Sequence, residues 1–145
     1  MIKVLIVDDE LDFLDSLSKR MELRGYKVSK APDGIKALEL VEKNSFDVVI
    51  LDLKMPGIDG QEVLEKIKKK KKNTEVIILS AHGSEEVASR TMELGAFCYI
   101  TKPIEIEKLI SVINLALEAG RKKKQNQTHL MILSMKTLIK INLWF

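Results

Sequence analysis

The sequence predicts an α/β fold, a five-stranded doubly wound parallel sheet with helices on both faces. Short runs of aliphatic and β-branched residues alternate with segments of helical period along the first 120 residues. Three of these runs are apolar nearly throughout, as expected of strands that helices cover on both faces. Strict alternation of strand and helix favours a parallel sheet whose crossovers are right-handed.

Five strand–helix pairs follow one another in the chain. The predicted strands are residues 3–7, 26–30, 46–51, 75–79 and 97–100. The predicted helices are residues 11–24, 33–44, 60–70, 84–94 and 105–119. Apolar residues recur at helical spacing, for example at Ile35 and Leu38 in the second helix and at Met92 in the fourth. Such a sheet, in the flavodoxin-like order 2-1-3-4-5, has its crevice at the carboxyl ends of the first and third strands.

The length and composition are typical of one soluble globular domain. The chain has 145 residues, of which 46% are hydrophobic and 31% charged. Its net charge of +3 says little about partners, but lysines gather at 66–73 and 121–124. We interpret these runs as solvated helix ends. They lack interleaved arginine and aromatic residues, so no specific nucleic-acid binding is expected.

The N-terminus and the cysteine content indicate a cytoplasmic protein. The apolar run MIKVLIV is too short for a signal peptide and has no cleavage site. The single cysteine, Cys98, is interpreted as a small buried hydrophobic residue. One cysteine and two distant histidines do not form a zinc ligand set.

Polar side chains follow four of the predicted strands at the same relative position. A single aspartate after a strand is usually a capping or turn residue, but capping does not explain a polar group on four strands. Three carboxylates, one hydroxyl and one ammonium group should therefore meet at one edge of the sheet. In chain order these residues are Asp8, Asp9, Asp52, Ser80 and Lys102.

This set of groups is suited to phosphoryl transfer onto a carboxylate. Asp8, Asp9 and Glu10 are adjacent like charges, which are tolerated best when a cation lies among them. Mg²⁺ takes carboxylate and carbonyl oxygens as ligands and bridges to phosphoryl oxygens. A metal ion, an ammonium and a hydroxyl can together neutralise the charge of the transferred group. An aspartate nucleophile would form an acyl phosphate.

The segments VDDE, LDLKMPGIDG, LSAHG and YITKP, in this order and spacing, resemble a response regulator receiver domain over residues 1–120. Receiver domains are the phosphoacceptor modules of two-component signalling and have a chemotaxis-regulator-like fold. The resemblance implies that Asp52 accepts a phosphoryl group from a histidine kinase or phosphotransfer protein, and that Lys102 contacts this group. It also implies that Mg²⁺ is held by Asp8, Asp9, Asp52 and the backbone carbonyl of Lys54. A cis bond before Pro103 is part of the same pattern.

The resemblance also implies a switch pair, Ser80 and Tyr99. Phosphorylation would draw the hydroxyl and then the ring inward, repacking the face formed by helix four, strand five and helix five. The alternative for Tyr99 is an ordinary half-buried strand aromatic. Lys54 and His82 would lie at the rim of the site and tune autodephosphorylation; the alternative is that both are solvated loop residues.

A Mg²⁺-dependent phosphohydrolase is the alternative function. Those enzymes resemble a different layout, in which the nucleophile follows the first strand and a second aspartate lies two residues on. Glu10 occupies that second position here. A binding module that never uses phosphate is disfavoured because every required site residue is present. We therefore expect a signalling switch that takes part in its own phosphorylation, not an enzyme acting on an external substrate.

Residues 121–145 are predicted to be a basic linker followed by an apolar tail, with no recognisable output domain. About 20 residues are too few for such a domain, and Lys136 and Lys140 argue against a membrane span. The tail could extend the fifth helix and pack against a second copy, dock on its own domain, or be an irregular leftover. A self-association helix is favoured, and the output is expected from a downstream protein partner or from self-association.

Overall fold

The computed structural model describes residues 1–81 and 83–144 of the chain, with side chains through residue 138. Five strands alternate with five helices. The strands are β1 (Lys3–Val7), β2 (Lys27–Ala31), β3 (Val48–Leu51), β4 (Glu75–Ser80) and β5 (Cys98–Thr101). The helices are α1 (Leu11–Glu22), α2 (Gly34–Lys43), α3 (Gly60–Lys70), α4 (Glu85–Glu93) and α5 (Ile106–Trp144).

All five strands pair in parallel in the order β2-β1-β3-β4-β5, which confirms the predicted topology. Val7 lies opposite Leu51 at the carboxyl ends of the two central strands, and Ser80 lies opposite Thr101. Because the chain crosses over in opposite directions from β1 and β3, the residues following these strands border the crevice of the sheet.

Two apolar layers cover the sheet, one on each face. The side chains of β1 alternate between them: Leu5 and Val7 pack with α2 and α3, whereas Val4 and Ile6 pack with α1 and α5. The central strands β1 and β3 are therefore buried on both faces, as their continuous apolarity predicted.

Two details of the helix pattern were wrong. Ile35 and Met92, expected on apolar faces, are 57% and 48% exposed. In α4 the fully buried position is taken by Thr91, whose hydroxyl donates to the carbonyl of Ala88 at 2.8 Å. Threonine can occupy this inner position because its one polar group is satisfied within the helix.

Helix α5 continues well beyond the predicted end at residue 119. Its 39 residues form one helix that packs on the sheet and then passes the amino ends of the strands. Gly120 lies against the buried Glu75, and Lys123 Nζ is 3.4 Å from Glu75 Oε1. We call residues 121–144 the α5 extension. No helix in residues 1–81 or 83–144 combines the length and apolarity needed to cross a membrane.

Candidate functional site at the carboxyl edge

The carboxyl edge of the sheet brings together four of the predicted site residues. Asp8 follows β1, Asp52 follows β3, Ser80 ends β4, and Lys102 follows β5. Backbone hydrogen bonds fix these positions: the Asp52 amide donates to the Val7 carbonyl at 3.0 Å, and the Lys102 amide donates to the Ser80 carbonyl at 2.9 Å. The strand pairing thus continues for one residue past each strand. The Lys102–Pro103 bond is cis, as the resemblance implied.

Side-chain hydrogen bonds connect these four groups. Ser80 Oγ donates to Asp52 Oδ1 at 2.7 Å. Lys102 Nζ donates to Asp8 Oδ2 at 2.6 Å and to Asp52 Oδ2 at 3.4 Å. Asp8 and Asp52 are only 2% and 4% exposed. One ammonium group therefore serves two buried carboxylates at the edge where the strand ends predicted that these groups would meet.

The environment of Lys102 favours its charged form. Burial alone would lower its pKa, but the hydrogen bond to Asp8 and the charges of Asp52, Asp8 and Glu10 outweigh burial and raise the pKa above the usual value. The ammonium also lies 4.1 Å from the centroid of the Phe13 ring, a cation–π distance. Lys102 is thus a fixed positive charge at neutral pH.

The environment of Asp8 disfavours its charged form. Burial raises the pKa of this carboxyl, and the nearby Asp52 charge acts in the same direction. Hydrogen bonds from Lys102 and from the Glu10 amide oppose this rise without cancelling it. The carboxylates of Asp8, Glu10 and Asp52 lie around the one ammonium group of Lys102, so a further cation would stabilise the site.

A candidate cation site lies among these carboxylates. Oxygen atoms of Asp8, Glu10 and Asp52 all lie within 4.8 Å of one another. An all-oxygen donor set at a buried, negatively charged position fits a hard cation such as Mg²⁺ or Ca²⁺. Of the predicted metal ligands, Asp8 and Asp52 belong to this group. Asp9 does not; its carboxylate is exposed and lines an adjoining open cavity together with Lys54.

Glu10 is a member of this group that sequence reasoning did not assign to the metal. Its backbone amide donates to Asp8 Oδ1 at 2.9 Å, and its carboxylate is 3.8 Å from Lys102 Nζ. The available signal was the third acidic residue of VDDE, directly after the predicted aspartate pair. The turn from β1 into α1 returns this residue toward Asp8.

The predicted switch residues Ser80 and Tyr99 and the predicted rim residue Lys54 lie around Asp52. Tyr99 is half-buried; burial and the Asp52 charge raise its phenol pKa, while a hydrogen bond with the Ser80 side chain acts in the opposite direction. Tyr99 is therefore linked through Ser80 to Asp52. The Lys54 amide is 3.3 Å from Asp52 Oδ1, and its side chain is exposed. His82, the other predicted rate-tuning residue, lies outside the described residues.

Two glycines shape the site by the space they leave open. A Cβ atom on Gly60 would lie 2.5 Å from Leu53 Cα and 2.8 Å from the Asp52 carbonyl oxygen. A Cβ atom on Gly83 would collide with the Tyr99 hydroxyl. The sequence indicated Gly60 only as part of a tight loop, because close backbone approach between distant segments leaves no local pattern.

Comparison with known proteins assigns this geometry to a family. A family model described as the response regulator receiver domain matches residues 4–114. The chain belongs to this family. The receiver domain is 37% identical over 107 residues to sporulation initiation phosphotransferase F of Bacillus subtilis, which covers 74% of this chain and 86% of that protein. The chain spans only 54% of the transcriptional regulatory protein YkoG of B. subtilis and 27% of AtoC of Escherichia coli.

Solved structures show the same receiver fold. A CheY-like receiver domain from Methanospirillum hungatei superimposes with a TM-score of 0.82 at 31% identity, over 85% of this chain and 98% of that one. TrrA of Thermotoga maritima, solved in complex with Mg²⁺ and BeF, gives a TM-score of 0.73 at 33% identity, over 81% and 100% of the two chains. The predicted fold and family are confirmed, and nothing in these matches favours the phosphohydrolase alternative.

Proposed function

We propose that this receiver domain accepts a phosphoryl group on Asp52 and that Mg²⁺ is required. The observation that carries the proposal is the buried Asp52 carboxylate, which has Ser80 at 2.7 Å on one oxygen and Lys102 at 3.4 Å on the other. The donor of the phosphoryl group would be the phosphohistidine of a histidine kinase or phosphotransfer protein. The Asp52 oxygen bonds to phosphorus, the phosphorus–nitrogen bond breaks, and the imidazole leaves with the electron pair.

The hydrogen bonds indicate which Asp52 oxygen reacts. Oδ1 accepts from Ser80 at 2.7 Å and faces the Lys54 amide at 3.3 Å. Oδ2 has one long contact in the described part of the chain, with Lys102 at 3.4 Å. Because Oδ2 is less firmly held, it is the better nucleophile. Lys102 lies on the same side and would neutralise charge on the incoming phosphoryl group.

The proposed Mg²⁺ ligands are Asp8, Asp9, Asp52 and the backbone carbonyl of Lys54, with Glu10 adding negative charge beside them. The carboxylate cluster supports Asp8 and Asp52 in this set, since three carboxylates lie around the one ammonium group of Lys102. When bound, the ion would shield the carboxylates from the incoming phosphoryl oxygens. The complex of TrrA with Mg²⁺ and BeF lends further support by similarity.

Phosphorylation would be read out through Ser80 and Tyr99. Ser80 now donates to the unmodified carboxylate, and the same hydroxyl could donate to a phosphoryl oxygen. Tyr99 interacts with Ser80 and would follow it. The face formed by α4, β5 and α5 suits such a change, because β5 is only half-buried and the one fully buried residue of α4 is Thr91. A downstream protein partner would recognise the altered face.

Lys54 and His82 are proposed to tune the lifetime of the phosphorylated state. The exposed Lys54 side chain beside Asp52 supports this for Lys54. Dephosphorylation of Lys54→Ala and His82→Ala should differ severalfold from that of the parent protein, whereas Lys36→Ala, on the exposed side of α2, should not change it. Unchanged rates in both rim variants would show that they are solvated loop residues.

Labelling by acetyl phosphate tests the proposal directly. The full chain should acquire one phosphoryl group in the presence of Mg²⁺ and none after chelation. Asp52→Asn should abolish labelling, because the amide is not a nucleophile toward phosphorus. Asp12→Asn, on the exposed side of α1, is the matched control and should be labelled normally. Labelling that survives in Asp52→Asn, or that maps to Asp8, would refute the assignment.

A further inference from the structure

The charge of the chain is divided unevenly between the domain and the α5 extension. Residues 121–145 contain 6 of the 24 lysine and arginine residues and none of the 21 aspartate and glutamate residues. The first 120 residues therefore have a net negative charge. A segment with six cations and no anion cannot form ion pairs with itself. Lys122 pairs with Glu118 at 3.5 Å and Lys123 with Glu75 at 3.4 Å, so a further anionic partner would come from another molecule.

The same segment exposes a continuous apolar surface. The exposed fractions of its large apolar residues range from 45% for Leu133 to 65% for Leu130. Within residues 130–138, only Ser134, Lys136 and Thr137 are polar. An exposed apolar surface of this kind typically marks an interaction site. The residues are Leu130, Met131, Ile132, Leu133, Met135 and Leu138.

A second lysine run meets the α5 extension where it leaves the domain. Lys71 and Lys72, which follow α3, line one surface cavity together with Lys124. Lys123 lies beside them, on the buried Glu75. Two basic runs about 50 residues apart in the sequence therefore form one positive surface at the amino edge of the sheet. Five polar residues, 125–129, lie between this surface and the apolar stretch of the same helix.

We propose that the α5 extension and the adjoining lysines bind the surface of an anionic lipid bilayer. The cations would meet the lipid phosphates and carboxylates, and the apolar side chains would enter the boundary between headgroups and acyl chains. The helix would lie along the membrane surface. This partner satisfies both the positive charge and the apolar surface.

The other candidate partners satisfy only one of these features. Nucleic acid would neutralise the lysines but leave the exposed leucine, isoleucine and methionine side chains in water. A second copy of the chain could cover those apolar side chains. Neither of two paired extensions would, however, supply an acidic residue for their twelve cations. The charge pattern therefore favours lipid over the self-association predicted from apolarity alone.

Sedimentation of the full chain with lipid vesicles tests the proposal. Vesicles of equal parts phosphatidylcholine and phosphatidylserine should bind at least about tenfold more protein than vesicles of phosphatidylcholine alone. Lys122→Gln/Lys124→Gln should lower this binding about tenfold, since it removes two cations near the surface. Lys36→Gln/Lys108→Gln, the same charge change at the opposite edge of the sheet, should leave binding unchanged.

A third variant separates lipid binding from general attraction to anions. Leu130→Ser/Leu133→Ser keeps every charge and should also weaken vesicle binding about tenfold. Equal binding to neutral and anionic vesicles, or full binding by this variant, would overturn the proposal. So would light scattering showing that the free protein is a dimer that Leu130→Ser/Leu133→Ser dissociates, because a second copy would then cover the apolar surface.

Discussion

Charged side chains are arranged differently at the two ends of this molecule. At the carboxyl edge, Lys102 is hydrogen bonded to two carboxylates that are almost fully buried, and acidic and basic groups are mixed within a few ångströms. In the α5 extension the charges have one sign, the side chains are exposed, and apolar residues lie among them.

This difference indicates where each region finds its partner. Charges that are buried and paired with one another define a site whose geometry is set within the fold and suits the proposed ion and phosphoryl group. The exposed charges of the α5 extension have only two such internal partners in the described part of the chain, Glu118 for Lys122 and Glu75 for Lys123. They point to an extended partner outside the domain. The same substitution should therefore have different consequences in the two regions.

Removing a lysine should have the largest effect at the carboxyl edge. Lys102→Ala would leave Asp8 and Asp52 buried without their cation, and should lower the free energy of unfolding by about 3 kcal/mol at neutral pH without Mg²⁺. Lys124→Ala, in the extension, should change it by no more than about 0.5 kcal/mol. Urea denaturation at matched pH measures both. Similar losses in the two variants would show that the two regions do not differ in this way.

Replacing a glycine by alanine should destabilise the fold at the carboxyl edge and stabilise it at the junction with the α5 extension. Gly60→Ala would force Cβ against the Leu53 and Asp52 backbone and should destabilise the fold by about 2 kcal/mol. Gly120→Ala, directly before the extension, would meet only ordinary contacts with Glu75 at 3.5 Å or more. It should stabilise α5 by about 0.5 kcal/mol. Thermal unfolding of both variants tests this, and a stable Gly60→Ala would contradict the close approach.

A smaller effect is expected from the pH dependence of Asp8. Because its pKa is raised in the folded protein, the folded state binds more protons than the unfolded state just above the usual carboxyl pKa of 3.8. Stability without Mg²⁺ should therefore fall as pH rises through this window. Asp8→Asn should lack this fall and be about 1 kcal/mol more stable at neutral pH.

The difference between the unfolding free energies of the parent and Asp8→Asn, followed from acidic to neutral pH, isolates this group. The exposed Asp12→Asn is the control and should show no such difference. An Asp8→Asn protein that is less stable than the parent at neutral pH would mean that the Lys102 hydrogen bond outweighs burial.

The sequence predicted the residues of the carboxyl edge well because each is identified by its position next to a predicted strand. Each of Asp8, Asp52, Ser80 and Lys102 directly follows or ends a strand, and parallel pairing places strand ends together. The participation of Glu10 depends on how α1 begins, and the role of Gly60 depends on contact with a distant backbone segment. The only local signal for Glu10 was the third acidic residue of VDDE, and Gly60 left none.

The α5 extension was predicted less well for a related reason. The sequence showed that the extension is apolar. The length of α5 and the proximity of Lys124 to Lys71 depend on the path of this helix past the amino edge of the sheet. Burial was also predicted wrongly for Ile35 and Met92, which are apolar but exposed. A helix buries whichever residues face its neighbours, and in α4 the buried residue is Thr91.

Hydrogen exchange of the full chain with Mg²⁺ and beryllofluoride, which stands in for the phosphoryl group, tests the switch at the carboxyl edge most directly. We predict slower amide exchange in residues 8–10, 52–54 and 98–102 on addition of both reagents, with no change in residues 121–138. Asp52→Asn should show none of this protection. Protection that persists in Asp52→Asn, or that is absent from the carboxyl edge of the parent protein, would contradict phosphoryl binding at this site.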